Sequence, residues 1–258
     1  MEAEKTAYIT VLTTPEFKEG VKVTFFSLRR FTDKEFLVLV NEVISEEIVQ
    51  ELESLGIKVR RGSGKEFSGY GFSEDMKRDR WYHTLFKLKV FGIRGYDRLV
   101  YLDSDLLVCG NIDELFSREE FSAVPDKLFF PKFSRGGINA GVISFRPDEA
   151  LERGFMECIP GVADKMQIFG DQDVINEYFD EWENAEEKHL PVKYNACFYE
   201  LDSYDEKNPL VVHFILGSKP WMWSATEVLL KQIKWTLQGK KKQVAYLRQY
   251  RKVLKKVR

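Results

Sequence analysis

Two aspartates two residues apart, Asp103 and Asp105, close the apolar run from Leu99 to Leu102. Side chains at i and i+2 of an extended segment point the same way. If Leu99 to Leu102 is a buried strand, its end presents two carboxylates to one small volume. Like charges that close repel unless a cation or protons neutralise them. A divalent metal is the natural third party, and hard oxygen ligands favour Mg²⁺ or Mn²⁺. Ligands of open α/β sheets bind outside the carboxyl ends of strands, where a metal bridging a nucleotide's phosphates would sit. Asp-x-Asp also occurs in plain turns, so the elements around it decide.

Those elements read as an alternating α/β pattern. Ala7 to Thr13, Glu35 to Val40 and Ile57 to Val59 are rich in β-branched residues and predict strands. Between them, Gly20 to Phe31 has helical apolar spacing, and Ser45 can cap a helix carrying Ile48, Leu52 and Leu55. Such β-α-β-α-β units suit a parallel sheet. Residues 61–80 form a long polar loop, and Trp81 to Ile93 reads as one helix. Asn111 to Phe116 reads as a short helix or turn, Gly136 to Phe145 as glycines and then a strand, and Pro147 as the first turn of a helix. Asp171 to Phe179 reads as a helix and Pro209 to Gly217 as the last strong strand.

The 258 residues can bury the core of one large domain or two small ones. No apolar run reaches ~18 residues, so no spanning helix is expected. Nor does the N-terminus carry the basic-then-apolar pattern of a secretory signal. Cys109, Cys158 and Cys197 are scattered, odd in number and without metal spacing. They read as buried thiols in a reducing, cytoplasmic compartment. Residues 231–258 hold eleven of the 39 Lys and Arg and no acid, leaving 28 basic against 41 acidic residues in 1–230. The tail is a distinct electrostatic object.

A series of short blocks then occurs in order: Leu12-Thr-Thr14, Lys87, Asp103-Ser-Asp105, Asn111-Ile-Asp-Glu-Leu-Phe116, Asn139-Ala-Gly141, Gly170-Asp-Gln172, His189-Leu-Pro191, Tyr194-Asn195, Val211-Val-His-Phe214, Gly217 and Lys219-Pro-Trp221. From about residue 7 to residue 223 this series resembles the glycogenin-like glycosyltransferases, glycosyltransferase family 8. The resemblance implies a single Rossmann-like domain of the GT-A type over residues 1–230, with a mixed, mainly parallel central sheet. A basic, amphipathic C-terminal helical tail follows over 231–258. It also implies retaining transfer of a hexose, glucose or galactose, from a UDP-sugar, with Mn²⁺ as the usual metal and Mg²⁺ allowed.

Family roles carry over by position. Asp103, Asp105 and His213 match the metal ligands, and two carboxylates with an imidazole suit Mn²⁺ better than all-oxygen cations. Otherwise His213 is a core histidine of a strand. Gly217 and Lys219 match residues that close over the diphosphate. Leu12, Thr13 and Thr14 match the segment that holds uracil and ribose, although Pro15 departs from the family. Arg78 and Lys87 match basic residues near the sugar and phosphates, with Arg80 competing with Arg78. Ser104, Asn139 and Ala140 fall within the donor-binding blocks. Asp171 and Gln172 match the pair facing the reactive side of the sugar, where positive charge develops at the anomeric carbon. Whether retention uses a covalent intermediate or same-face attack stays open. Some glycogenins have a further aspartate where this chain has Ile168, and residues 166–176 look closer to the bacterial lipooligosaccharide galactosyltransferases of the family.

Several acceptors fit: a glycan or glycolipid, a tyrosine of the chain itself (Tyr199 or Tyr204), or a small polyol as in galactinol synthases. A catalytically silent sugar-nucleotide-binding module is the non-enzymatic alternative. Val244, Leu247, Val253, Leu254 and Val257, interleaved with Lys and Arg and joined by Trp235, Tyr246 and Tyr250, suit an anionic membrane surface. A solvated basic helix is the plain alternative. No nucleic-acid partner is expected, and a homodimer is allowed.

Overall fold

The computed structural model describes residues 4–78, 80–118, 121–131, 134, 136–204, 208–215 and 217–258, except for the side chains of Arg78 and Arg80. Strands β1 (Thr6–Leu12), β2 (Glu35–Val40) and β3 (Lys58–Arg61) alternate with helices α1 (Lys18–Leu28) and α2 (Glu46–Ser54). Register pairs Ala7 with Glu35 and Leu12 with Val40, all parallel, and β3 continues parallel beside β2. After α3 (Glu74–Arg78) and α4 (Arg80–Thr84), β4 (Arg98–Leu102) returns parallel to β1. β5 (Leu106–Val108) leaves this sheet. β6 (Ser122–Pro125), α5 (Asp126–Phe129) and β7 (Ile138–Phe145) follow, and β7 runs antiparallel to both β4 and β6. The main sheet has the order β3-β2-β1-β4-β7-β6, mixed and mainly parallel as expected.

β1 shows why the sheet is buried on both faces. Ala7 and Ile9 enter one apolar cluster with Leu99, Tyr101 and Phe145. Tyr8 and Leu12 enter another with Val38, Val100 and Leu102. The first cluster is covered by α6 (Glu149–Lys165) and α7 (Asp171–Tyr178), the second by α1 and α2. α6 starts later than Pro147 suggests, because Asp148 is its cap and accepts from the Ala150 N–H at 2.7 Å.

Two expected elements change form. Trp81 to Ile93 is not one helix: after α4 the chain tightens into a 3-10 segment from Leu85 to Gly92. Leu85, Phe86, Lys87, Leu88, Val90 and Phe91 are all buried there, so the segment is enclosed on every side instead of along one stripe. The strand expected over Pro209 to Gly217 shrinks to β9 (Val211–His213), because its antiparallel partner β5 offers three residues. With β8 (Ala196–Cys197) these form a small second sheet, β5-β9-β8.

The C-terminal segment is helical, as expected, but it is docked. α8 (Ala225–Leu237) crosses the boundary drawn at residue 231, and α9 (Lys241–Val257) lies against α1. Val244, Leu247, Tyr250, Val253, Leu254 and Val257 are buried in a third cluster with Val23, Phe214, Trp221 and Trp235. The apolar face read from the sequence as suited to lipid is therefore spent on protein.

Candidate active site

β4 and β1 end at one edge of the main sheet, and β7, running the other way, begins there. Asp103 is the first residue past β4, and its N–H donates to the Gly141 carbonyl of β7 at 2.9 Å. The two carboxylates converge, though not by strand pleat: Ser104 and Asp105 turn the chain into β5. Pairing of β5 with β9 sets Leu106 opposite His213, and the Phe214 N–H donates to the Asp105 carbonyl at 3.0 Å. One ligand atom each from Asp103, Asp105 and His213 then lies within 4.8 Å of the others.

The charges around this trio are ordered. Lys219 Nζ is 2.6 Å from Asp105 Oδ2, and His213 Nε2 is 3.0 Å from Asp105 Oδ1 and 3.7 Å from Asp103 Oδ2. Burial pushes the Asp105 carboxyl up, but the charges of His213 and Lys219 outweigh it and hold the group well below the usual range. Asp103 differs: burial dominates and raises it, against the pull of Lys87 and His213. Tyr101 Oη donates to Asp103 Oδ1 at 2.7 Å, and burial beside these carboxylates drives its own ionisation far up. Two carboxylates and an imidazole, with a lysine ammonium already seated on one carboxylate, make a donor set that fits a divalent cation.

Lys87 is the second organising charge. Its Nζ is buried over the Tyr101 ring, 2.6 Å from Asp171 Oδ2 and 3.1 Å from Asp103 Oδ1, and donates to the Ala140 carbonyl at 3.0 Å. Burial alone would lower its ionisation; the two carboxylates reverse this and raise it. Asp171 opens α7, and its N–H donates to Thr84 Oγ1 at 3.1 Å. Gln172 Oε1 accepts from the Ala140 N–H at 3.1 Å, which ties α7 to β7.

These groups line one cavity of about 1200 Å³, together with Thr13, Thr14, Ser104, Asn139, Ala140, Gly217 and Lys219. Gly217 has φ +61°, a conformation that favours glycine. Leu12 points the other way, into the core under α1, so its side chain does not reach the cavity. Ile168 is part of the wall. The side chains of Arg78 and Arg80 lie outside the described residues. Asp126 was missed in the sequence. It begins the short α5 from a buried position and accepts from Asn139 Nδ2 at 3.0 Å. A single Asp in an irregular segment carries no periodic or spacing signal.

Comparison with known proteins agrees with this geometry. The family model "Glycosyl transferase family 8" matches residues 8–225. Glycogenin-1 of Mus musculus is 31% identical over 228 residues, covering 84% of this chain and 66% of that protein. Inositol phosphorylceramide glucuronosyltransferase 1 of Arabidopsis thaliana is 30% identical over 247 residues, covering 86% of this chain and 43% of that protein. The chain thus spans just under two thirds of the first relative and less than half of the second. Among solved structures, the galactosyltransferase LgtC in complex with donor and acceptor sugar analogs superposes with a TM-score of 0.65 at 20% identity, covering 86% of this chain and 91% of that one. That likeness shows a shared GT-A fold. With the family match running from β1 into α8, the chain belongs to glycosyltransferase family 8.

Proposed function

We propose that this chain transfers a hexose, glucose or galactose, from a UDP-sugar to a glycan or lipid-linked acceptor, with retention and with dependence on a divalent metal, Mn²⁺ before Mg²⁺. The observation that carries the reading is the convergence of Asp103, Asp105 and His213 in a cavity that Asp171, Gln172 and Asn139 also line. Asp103, Asp105 and His213 would hold the cation. The chemistry a cation supplies when bound is charge compensation on the departing diphosphate. Lys219 would exchange its contact with Asp105 for the diphosphate as the donor enters. Thr13 and Thr14 sit where β1 ends, suited to the uridine. Lys87 holds Asp171 against Asp103, so the Asp171 carboxylate faces the sugar where positive charge develops. Asn139 and Gln172 would orient the sugar hydroxyls.

The test is release of UDP from a panel of UDP-sugars with Mn²⁺ and no acceptor. One sugar should be hydrolysed well above the rest, and Asp103→Asn should lower the rate at least a hundredfold, in line with losing a metal-held charge at the reacting bond. An Asp103→Asn protein that is folded and equally active would overturn the reading, and silence with every donor would leave a binding module. Intact mass read in parallel tests self-glucosylation. Tyr199 and Tyr204 are part-buried, Tyr204 Oη donates to the Phe129 carbonyl at 2.7 Å, and neither lines the cavity. No hexose increments are expected on this chain.

The acceptor reading extends to a membrane surface, and α8 is what favours it. Leu229, Leu230, Ile233 and Leu237 form a solvent-facing stripe on α8, opposite its buried Trp235, with Leu237 83% exposed. Lys234 and Lys241 are exposed nearby in the acid-free segment. Apolar residues between lysines suit the interface of an anionic bilayer. No described helix is long and apolar enough to cross one. The three free cysteines support a reducing, cytoplasmic setting for such a peripheral protein. Sedimentation with phosphatidylserine vesicles should be lost in Leu230→Gln/Leu237→Gln, with UDP release retained. A homodimer that the same substitutions dissolve, with no vesicle binding, would assign the stripe to a second copy instead.

A further inference from the structure

We infer that Asn195 is a positioning residue that fixes which nitrogen of His213 carries the proton, at the end of a buried amide relay anchored by Asp126 and the Gly141 N–H. The inference rests on the metal-site reading above for its use, though not for its geometry.

The relay has only one consistent direction. Asn139 Nδ2 donates to Asp126 Oδ1 at 3.0 Å, and the Gly141 N–H donates to Asn139 Oδ1 at 3.2 Å. A backbone N–H can only donate, and a carboxylate oxygen accepts. The two contacts together therefore fix the orientation of the Asn139 amide. Its oxygen also takes a hydrogen bond from Asn195 Nδ2 at 2.6 Å, which fixes Asn195 in turn. What Asn195 then presents to the histidine is Oδ1, 3.0 Å from His213 Nδ1. That oxygen has no hydrogen to give, so Nδ1 must carry one. Nε2 faces the carboxylates of Asp105 and Asp103 and, with no cation between them, donates to Asp105 Oδ1 at 3.0 Å; a bound cation would take the place of that proton. A histidine that binds a metal through Nε2 keeps its proton on Nδ1, and the partner of that nitrogen commonly sets this.

The surroundings permit no easy alternative. Asn195 is fully buried and does not line the cavity, so water offers it no substitute partner, and an unmatched amide there would be costly. Phe129 packs against the imidazole with ring centres 5.3 Å apart. On another side the backbone of residue 141 comes so close that a Cβ would lie 2.6 Å from His213 Nδ1 and Cε1. Glycine is required at that point. The same glycine donates to Asn139 through its N–H and accepts from the Asp103 N–H through its carbonyl. One residue thus sets the relay and holds a metal-facing aspartate. At the far end Asp126 lines the cavity, and Gln172 Nε2 lies 3.4 Å from its Oδ1. The histidine is therefore wired to the wall that would receive the sugar.

Nitrogen-15 NMR of the protein with and without Mg²⁺ reads the relay directly. Nδ1 of His213 should be protonated in both states; a bare Nδ1 in either would overturn the inference. The free Mn²⁺ signal in electron paramagnetic resonance gives affinity without turnover. Asn195→Ala should weaken Mn²⁺ binding by about 10–100-fold, the usual cost of losing such a partner. Asn195→Asp keeps an acceptor for Nδ1 but cannot donate to Asn139 Oδ1, so its affinity should fall between those of the parent and Asn195→Ala. Unchanged affinity in Asn195→Ala, or equal losses in both variants, would overturn the assignment. If the parent protein binds no Mn²⁺, the metal reading fails while the NMR result still decides the relay.

Discussion

Lys87 is the residue through which the site's two halves communicate. Its ammonium is shared between Asp103, proposed to hold the metal, and Asp171, proposed to face the sugar. In Lys87→Met the stem is kept and the charge lost. Burial already raises the Asp103 carboxyl, and Lys87 opposes that rise. Removing it pushes the carboxyl further up. A metal must displace the proton from Asp103, so Mn²⁺ affinity falls as pH drops through the Asp103 value. The acid limb of an affinity–pH curve should therefore move to higher pH in Lys87→Met, and a limb that stays or moves lower would contradict the assignment. A buried carboxylate, Asp171, and a part-buried one, Asp103, left without their cation should also cost stability, up to about 3–5 kcal/mol, measurable by urea unfolding.

At the scale of elements, α9 is a strut for the turn that follows Lys219. Arg251 Nη1 donates to the Pro220 carbonyl at 3.1 Å, and Arg258 Nη2 donates to the Trp221 carbonyl at 2.7 Å. Lys219 is the residue just before this clamped turn. A chain stopped after Gly239 loses both clamps and the six buried apolar side chains of α9. At about 1.5–3 kcal/mol for each buried side chain, that exceeds or matches the 5–15 kcal/mol net stability of a typical domain. The shortened chain should lose near-ultraviolet circular dichroism and UDP binding together; a folded, UDP-binding product would show the segment to be separable. The sequence alone suggests separability, because charge is visible along a chain and docking is not. β1, β2, β4 and α7 are legible because each carries a long run or stripe of apolar residues. β5, β6 and β8 have four residues or fewer and leave no period to count. Yet β5 is what delivers His213 to Asp105. The convergent trio of Asp103, Asp105 and His213 was legible by residue type, whereas the partners that orient it, Tyr101 and Asp126, were not. Their roles exist only once β4, β7 and α5 meet.

For the whole molecule, the site joins two sheets that have no strand in common. Asp103 follows a strand of the main sheet, and His213 belongs to the small one. Asp103, Asp105 and His213 would supply three ligand groups to a divalent cation. Oxygens of the diphosphate would supply further ones. UDP and Mn²⁺ should therefore each raise the affinity of the other by the same factor, as linkage requires. Each ligand alone would meet an incomplete site: UDP would face two carboxylates, and a cation would share Asp105 with Lys219. Together they would neutralise the carboxylates and leave Lys219 to the diphosphate. Saturation at a hundred times the dissociation constant is worth about 2.7 kcal/mol, a rise of roughly 5–10 °C in Tm for a chain of this size. Thermal unfolding with Mn²⁺, with UDP and with both should give a joint shift larger than the sum of the separate ones. In Asp105→Asn the excess should vanish, while any shift from UDP alone persists. A strictly additive shift in the parent protein would mean that the cation and the diphosphate do not meet between Asp103, Asp105 and His213.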